Sequence, residues 1–297
     1  MYHGVSSVPA REGLRDSAGK HLPVDLFARH LSVLKRSRQV IPLQEMVRGL
    51  RDRQDMDNTV ALTFDDGYEN NVLVAAPALA DAGMSASFFV TTGIINTDTF
   101  IWTDRVEMIV DRASGASIRL AGDGEEFPIG SLEEKRRALT AIKSSLKRLD
   151  NELRTDALEH LAIEHGVADA CAEGDYRFMT WDQVRGLVAA GFEVGAHTVT
   201  HPILTRLPLA EAADEILGSK EKVLQETGKC SETFCFPNGK STDFNGELQA
   251  LCRQHFGAAL STNRGAAMLD ELYELRRLSP AGTGSGEDIE WMLLRAQ

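Results

Sequence analysis

At 297 residues, 43% hydrophobic and 26% charged, the chain has the composition of a folded globular protein, not of a disordered or fibrous one. Its 44 acidic against 32 basic residues leave a formal charge of −12, which repels phosphate backbones and argues against nucleic acid as a partner. The longest apolar run, Val72 to Ala80, is broken by Pro77 and falls far short of the ~20 residues that cross a bilayer, so no transmembrane segment is expected.

Met1 to Leu14 has neither the basic opening nor the apolar core of a secretory signal, so the chain as given is expected in the cytoplasm. Met1-Tyr2-His3-Gly4-Val5 nevertheless reads as the middle of a strand, which leaves room for an upstream segment. Asn58 to Phe64 is β-branched and apolar and ends at Asp65-Asp66-Gly67; Asn71 to Ala82 is Ala/Leu-rich and ends at Gly83; Ser85 to Thr91 is again strand-like. This is a βαβ unit, whose two strands are expected to run parallel.

From Trp102 to Gly174 the rhythm breaks. A helix over Trp102 to Ala113, a hairpin around Gly122-Asp123-Gly124 and a charged helical stretch from Ser131 to His165 read as a mainly helical insertion, at about 102–178 of a single domain spanning 1–297. Alternation then resumes: helix Trp181 to Ala190, strand Phe192 to Ala196, helix Leu209 to Thr227, strand Glu232 to Phe236, helix Gly246 to Phe256, strand Ala258 to Ser261. Repeated β-then-α defines an α/β protein. Cys171, Cys230, Cys235 and Cys252 have no CxxC spacing and are expected to be free thiols.

Asp65 and Asp66 stand where a strand gives way to a loop, the edge at which α/β proteins place their ligands. Two adjacent carboxylates repel unless a cation shares the site; a solvated acidic turn is the plain alternative. His197-Thr-Val-Thr-His201 also follows a strand. Its β-branched spacer and Pro202 disfavour a helix, and a fully extended strand would hold the imidazoles roughly 13 Å apart. The segment must therefore curl if both bind one ion; two solvated loop histidines are the alternative. Taken together, one carboxylate and two imidazoles suit zinc or another first-row divalent ion and leave a position open. The second carboxylate is then placed to accept a proton from water.

Thr63-Phe-Asp-Asp-Gly67 followed far downstream by His197-Thr-Val-Thr-His201 resembles the leading motifs of the polysaccharide deacetylases, the esterases that remove N-acetyl groups from amino-sugar polymers. The resemblance extends through Trp181 to Val184, Gly191 to Ala196 and Phe234 to Gly239. It implies an irregular (β/α) barrel with ligands at the C-terminal strand ends, Asp65 as base, and Asp66, His197 and His201 as ligands of a divalent ion, most simply Zn2+. Many members have Arg-x-Pro-Tyr-Gly where this chain has Cys235-Phe-Pro-Asn-Gly239, and the chain looks closest to an exopolysaccharide-associated subgroup with an apolar residue there. The resemblance then points to Arg277 as the residue that steadies the base, to His3, in Tyr2-His3, as the acid in place of a missing C-terminal histidine, and to the Asn238 N–H as an oxyanion donor.

The implied activity is metal-dependent hydrolysis of N-acetyl groups from an oligo- or polysaccharide. Two other readings share the same residues: a deacylase of a lipid-linked or small N-acyl sugar, and an inactive carbohydrate-binding descendant.

Overall fold

The computed structural model describes residues 1–8, 14, 16, 19–120, 125–280, 289, 292 and 293. In chain order the elements are β1 (Gly4–Ser6), β2 (His21–Pro23), α1 (Val24–Ser37), β3 (Gln39–Val40), α2 (Leu43–Arg51), β4 (Thr59–Val60), β5 (Thr63–Phe64), α3 (Ala76–Ala82), β6 (Ser87–Val90) and α4 (Trp102–Arg112). Then come β7 (Ser117–Arg119), β8 (Glu126–Pro128), α5 (Leu132–Arg148), α6 (Asn151–Glu164), α7 (Trp181–Ala189), β9 (Glu193–Ala196), α8 (Leu209–Thr227), β10 (Thr233–Cys235), α9 (Gly246–His255), β11 (Ala258–Arg264) and β12 (Leu275–Arg277).

Among the described residues every strand pair is parallel except the hairpin β7–β8. The expected βαβ unit is β5–α3–β6, with Thr63 opposite Ser87 and Phe64 opposite Phe88; β9 adds on the other side of β6, with Val90 opposite Ala196. Tyr2 bridges to Phe64 outside the named strands. The α/β alternation is therefore present, but among the described residues the pairing falls into five short sheets and no closed barrel forms.

Two expectations change in detail. The strand over 58–64 divides into β4 and β5. The helix over 71–82 opens as a π turn, Asn71–Ala75, before α3 begins. Pro77 is the cause: without an N–H it cannot bond the carbonyl four residues back, and its ring crowds that carbonyl, so the ladder widens ahead of it. Gly83, in the left-handed region at φ 69°, ends α3 as expected. The Gly122-Asp123-Gly124 turn lies outside the described residues, though the strands flanking it form the hairpin. All four cysteines are free.

One core lies around β1, β5, β6 and β9, where Tyr2, Phe64 and Phe88 stack in series at centroid spacings of 5.3 and 4.8 Å. The segment 102–178 buries a cluster of its own, including Val106, Ile109, Ile118, Ile142 and Leu158. Its helix α5 starts at Ser131, whose side chain accepts from the Glu134 N–H. Among the described residues no helix is long and apolar enough to cross a membrane.

Candidate metal centre

β5 is two residues long because the chain turns at once into the acidic pair. Asp65 still donates its N–H to Tyr2 O at 3.0 Å, whereas Asp66 has φ 74° and Gly67 φ 96°. A Cβ at Gly67 would crowd Val90 and Ile95 at 3.2 and 3.3 Å, so glycine suits both the dihedral and the close approach. The turn throws the two carboxylates in different directions, and both are 2% exposed.

The histidine segment curls, as the spacing argument required. His197 continues the ladder through its N–H to Val90 O, while Thr198 and His201 take positive φ of 66° and 59°. These strained residues are held from several sides. Gly93 donates to Val199 O at 2.8 Å, an approach so close that a Cβ there would meet this oxygen at 2.6 Å. Glu215 of α8 accepts the N–H groups of Val199 and Thr200 at 2.8 and 2.9 Å and the Thr200 hydroxyl at 2.6 Å. Thr198 Oγ1 accepts from the His201 N–H.

As a result, His197 Nε2 and His201 Nε2 lie 3.4 and 3.3 Å from the same oxygen, Asp66 Oδ1. An ion with ~2.1 Å bonds in tetrahedral coordination separates its ligand atoms by roughly 3.4 Å, so the spacing fits a zinc-sized cation. His197 Nδ1 lies 2.8 Å from Cys235 O; with the proton on Nδ1, Nε2 keeps its lone pair toward the cluster. His201 Nδ1 is buried and has no partner among the described residues.

Asp65 belongs to a second arrangement. Arg277, at the end of β12, donates from both terminal nitrogens to its two carboxylate oxygens at 2.8 and 2.7 Å. The arginine is itself fixed through Nε to Ser261 O at 2.7 Å and through Nη1 to Thr63 Oγ1 at 3.2 Å. Burial alone would raise Asp65, but Arg277 outweighs it and holds the carboxyl at about 2. Cys235 Sγ lies 3.5 Å from Asp65 Oδ1. Asp65, His197 and Cys235 also come close enough together to hold an ion. A cation there would face the Arg277 guanidinium, so the Asp66 set is the better cage.

His3 is half-buried between Tyr2 and β1. Burial pushes its pKa down, opposed by the charges of Asp66 and Asp65. Asn238 follows β10 at φ 60°, and its carbonyl accepts from Thr262 Oγ1 at 2.8 Å. Among the described residues nothing accepts from its backbone N–H. A cavity of about 730 Å³, bounded by residues including Met1, Leu43, Met46 and Leu278, takes in none of Asp65, Asp66, His197 or His201.

Four residues were not expected to make the contacts they do. Glu215 reads in sequence as one more charge on a helix. Lys20 pairs with the buried Asp104 of α4, and Tyr68 donates to Asp104 at 2.6 Å. These depend on long-range packing and leave no local sequence signal.

The family profile described as polysaccharide deacetylase matches residues 52–121 and 130–254, more than half of the chain. The chain belongs to that family. Its fold is similar to that of the Streptococcus pyogenes deacetylase PplD in complex with acetate, at 20% identity and TM-score 0.64 over 99% of this chain and 96% of the other. It is also similar to BC0361, a polysaccharide deacetylase from Bacillus cereus (15% identity, TM-score 0.60, 99% and 67% covered), and to IcaB from Ammonifex degensii (15% identity, TM-score 0.59, 100% and 94% covered). No curated protein sequence matches this chain.

Proposed function

We propose that this chain is a metal-dependent N-deacetylase acting on an amino sugar within an oligo- or polysaccharide. The observation that carries the reading is the juxtaposition of a carboxylate clamped by arginine, Asp65, with an adjacent cage of Asp66, His197 and His201. Those three would hold the cation, and the donor set and spacing suit Zn2+. When bound, such an ion supplies Lewis acidity, polarising an acyl carbonyl and lowering the pKa of a water from 15.7 toward ~7.

The chain's own residues divide the remaining work. Asp65, kept ionised by Arg277, accepts the proton of the attacking water. The Asn238 N–H donates to the developing oxyanion, and His3 gives a proton to the departing amine. Arg277 replaces, from a different strand, the arginine that Cys235 displaces, which favours an active enzyme over a binding descendant. We read the whole of 1–297 as one irregular (β/α) barrel domain with an insertion at 102–178.

The test is acetate release from chito-oligosaccharides by zinc-loaded protein, with Asp65→Asn as control. Release that is abolished by the substitution supports the reading. A zinc-loaded protein that frees no acetate from any acetylated sugar defeats it.

A further inference from the structure

β5 and β12 flank Met1 and Tyr2. Tyr2 donates its N–H to Thr63 O at 2.8 Å, and the Met1 nitrogen donates to Leu278 O at 2.7 Å. Bonded to both sides, Met1 and Tyr2 fill a gap one strand wide. Toward the starts of β5 and β12 that gap continues as the cavity of about 730 Å³, which Ala61, Leu62, Thr63, Leu275, Arg276 and Leu278 all line.

Within a strand the N–H and C=O of one residue point to one side, and residues two apart share that side. Thr63 O faces Tyr2, whereas Leu62 O accepts from Ser87 at the start of β6. The Thr63 N–H and both backbone groups of Ala61 therefore face the gap. Leu278 O faces Met1, so the Leu278 N–H and both groups of Arg276 face the gap from the other side. Among the described residues no bond outside the named strand pairs takes up any of these groups, and their direction turns them from those pairs. The slot also parts two apolar clusters: Leu34, Val60 and Leu62 belong to the core around Phe64, and Leu43, Leu260 and Leu275 to another.

Packed interiors leave few voids larger than a water molecule, and buried backbone groups without partners are rare. An aliphatic ligand would fill the apolar space and leave the backbone groups unpaired. Water would satisfy those groups and leave the apolar walls wet. One extended peptide segment does both, since its main chain pairs with the two edges while alternate side chains enter the two clusters.

We propose that the slot is the seat of one further parallel strand, apolar on both faces, supplied by residues joined to the amino end of Met1. A parallel strand buried on both faces is a continuous apolar run. Tyr2 already runs parallel to β5 in the adjoining stretch of the same seat, so such residues enter without a turn. The nitrogen that donates to Leu278 O is otherwise a desolvated ammonium; burial first, and then the Arg277 charge, lower its pKa to about 5. An amide makes the same bond uncharged. The added strand joins β12 to β5 and backs Thr63 and Arg277, the pair whose side chains meet beside Asp65. The seat itself does not rest on the deacetylase reading.

The experiment compares the 297-residue chain with two versions extended ahead of Met1, one by Val-Ile-Val-Leu and one by Gly-Ser-Gly-Ser, each behind an initiating methionine. Melting temperature and amide hydrogen exchange are the readouts. The apolar extension should raise the melting temperature by ~5 °C or more. It should also slow exchange in peptides covering Thr59 to Phe64 and Glu274 to Ser279 by about tenfold or more, whereas Gly-Ser-Gly-Ser should do neither. Equal behaviour of the two extensions overturns the seat. A Val-Lys-Val-Lys extension that stabilises as well as the apolar one also overturns it, because one face would then lie in water. Should the apolar extension aggregate, Thr-Val-Thr-Val, more soluble and still β-branched, decides by the same readouts. Dimerisation of the unextended chain, with those peptides protected as concentration rises, assigns the slot to a second copy and overturns the source proposed.

Discussion

Arg277 grips Asp65 through two nearly parallel hydrogen bonds of 2.8 and 2.7 Å across 212 positions of sequence. The pair is buried, so each partner depends on the other: without Arg277 the carboxylate would be a desolvated charge with no counter-ion. Arg277→Met should therefore lower kcat/KM by a large part of the ~10²–10⁴-fold that a positioned base supplies. It should also move the acid limb of the pH profile upward, since burial, no longer outweighed by Arg277, raises Asp65. The sign for stability follows from the depressed value. Asp65 contributes stability that is present above the ordinary aspartate range and lost as pH falls toward about 2, and the variant should lose that contribution. Arg277→Lys, which keeps the charge but not the fork, should fall between the two. A pH–rate series on the three proteins checks this.

Holding the ion and moving the proton are assigned to different side chains, so the two functions should separate. His201→Ala removes one of the two nitrogens facing Asp66 Oδ1 and should lose zinc on dialysis. Asp65→Asn leaves the cage intact and should retain zinc while losing roughly 10²–10⁴-fold in turnover. Chelation of the wild type followed by zinc addition should restore activity; the same cycle should not restore Asp65→Asn. Metal content by elemental analysis, beside acetate release, distinguishes the cases.

Glu215 makes a further prediction because it touches neither ion nor substrate. Its carboxylate gathers two backbone N–H groups and one hydroxyl of the 199–200 turn, directly between the two histidines. Glu215→Ala should lower zinc affinity by roughly 10–100-fold while turnover per bound ion changes little. Glu215→Gln retains an oxygen that can accept both N–H groups and should recover most of the affinity. Competition with a chromophoric chelator measures all three.

Asp65, Asp66, His197 and His201 could be singled out as a candidate site from the sequence because each pair follows a strand-like run, and because the residues between the histidines disfavour the helix that would otherwise explain their spacing. Arg277 was reachable only by asking what replaces the arginine missing at Cys235. Glu215 and Asp104 lie on helices whose charge pattern is ordinary; what sets them apart is the element packed against each, which no local pattern encodes. The same holds for α1 and α2: no motif falls on them and the sequence reading passed over them, although Phe27, Leu31 and Leu34 fill the core beside Tyr2. The division of the strands into separate short sheets was illegible for another reason. Strands of two to four residues, such as β4, β5 and β9, carry too little periodicity to fix how sheets join.

The insertion is tied to the core by a buried ionic contact, and this yields the clearest stability prediction. Asp104 of α4 pairs with Lys20 and accepts from Tyr68 at 2.6 Å, with its side chain fully inaccessible. Asp104→Leu leaves the desolvated ammonium without its counter-ion and the Tyr68 O–H without its acceptor, and should destabilise by ~3–5 kcal/mol. The double variant Lys20→Met with Asp104→Leu should recover most of that loss, because replacing both members of a buried pair avoids the uncompensated charge. For Lys20, burial pulls the pKa down but Asp104 outweighs it, so the net shift is upward. A raised lysine contributes stability that is fully present below its ordinary range and lost only as pH rises through the raised value. The gap between wild type and Asp104→Leu should therefore be flat through neutral pH and narrow only in strong alkali. Denaturant midpoints across pH, read as a double-mutant cycle, test both statements; a double variant as unstable as the single would show that Asp104 acts through Tyr68 and not through Lys20.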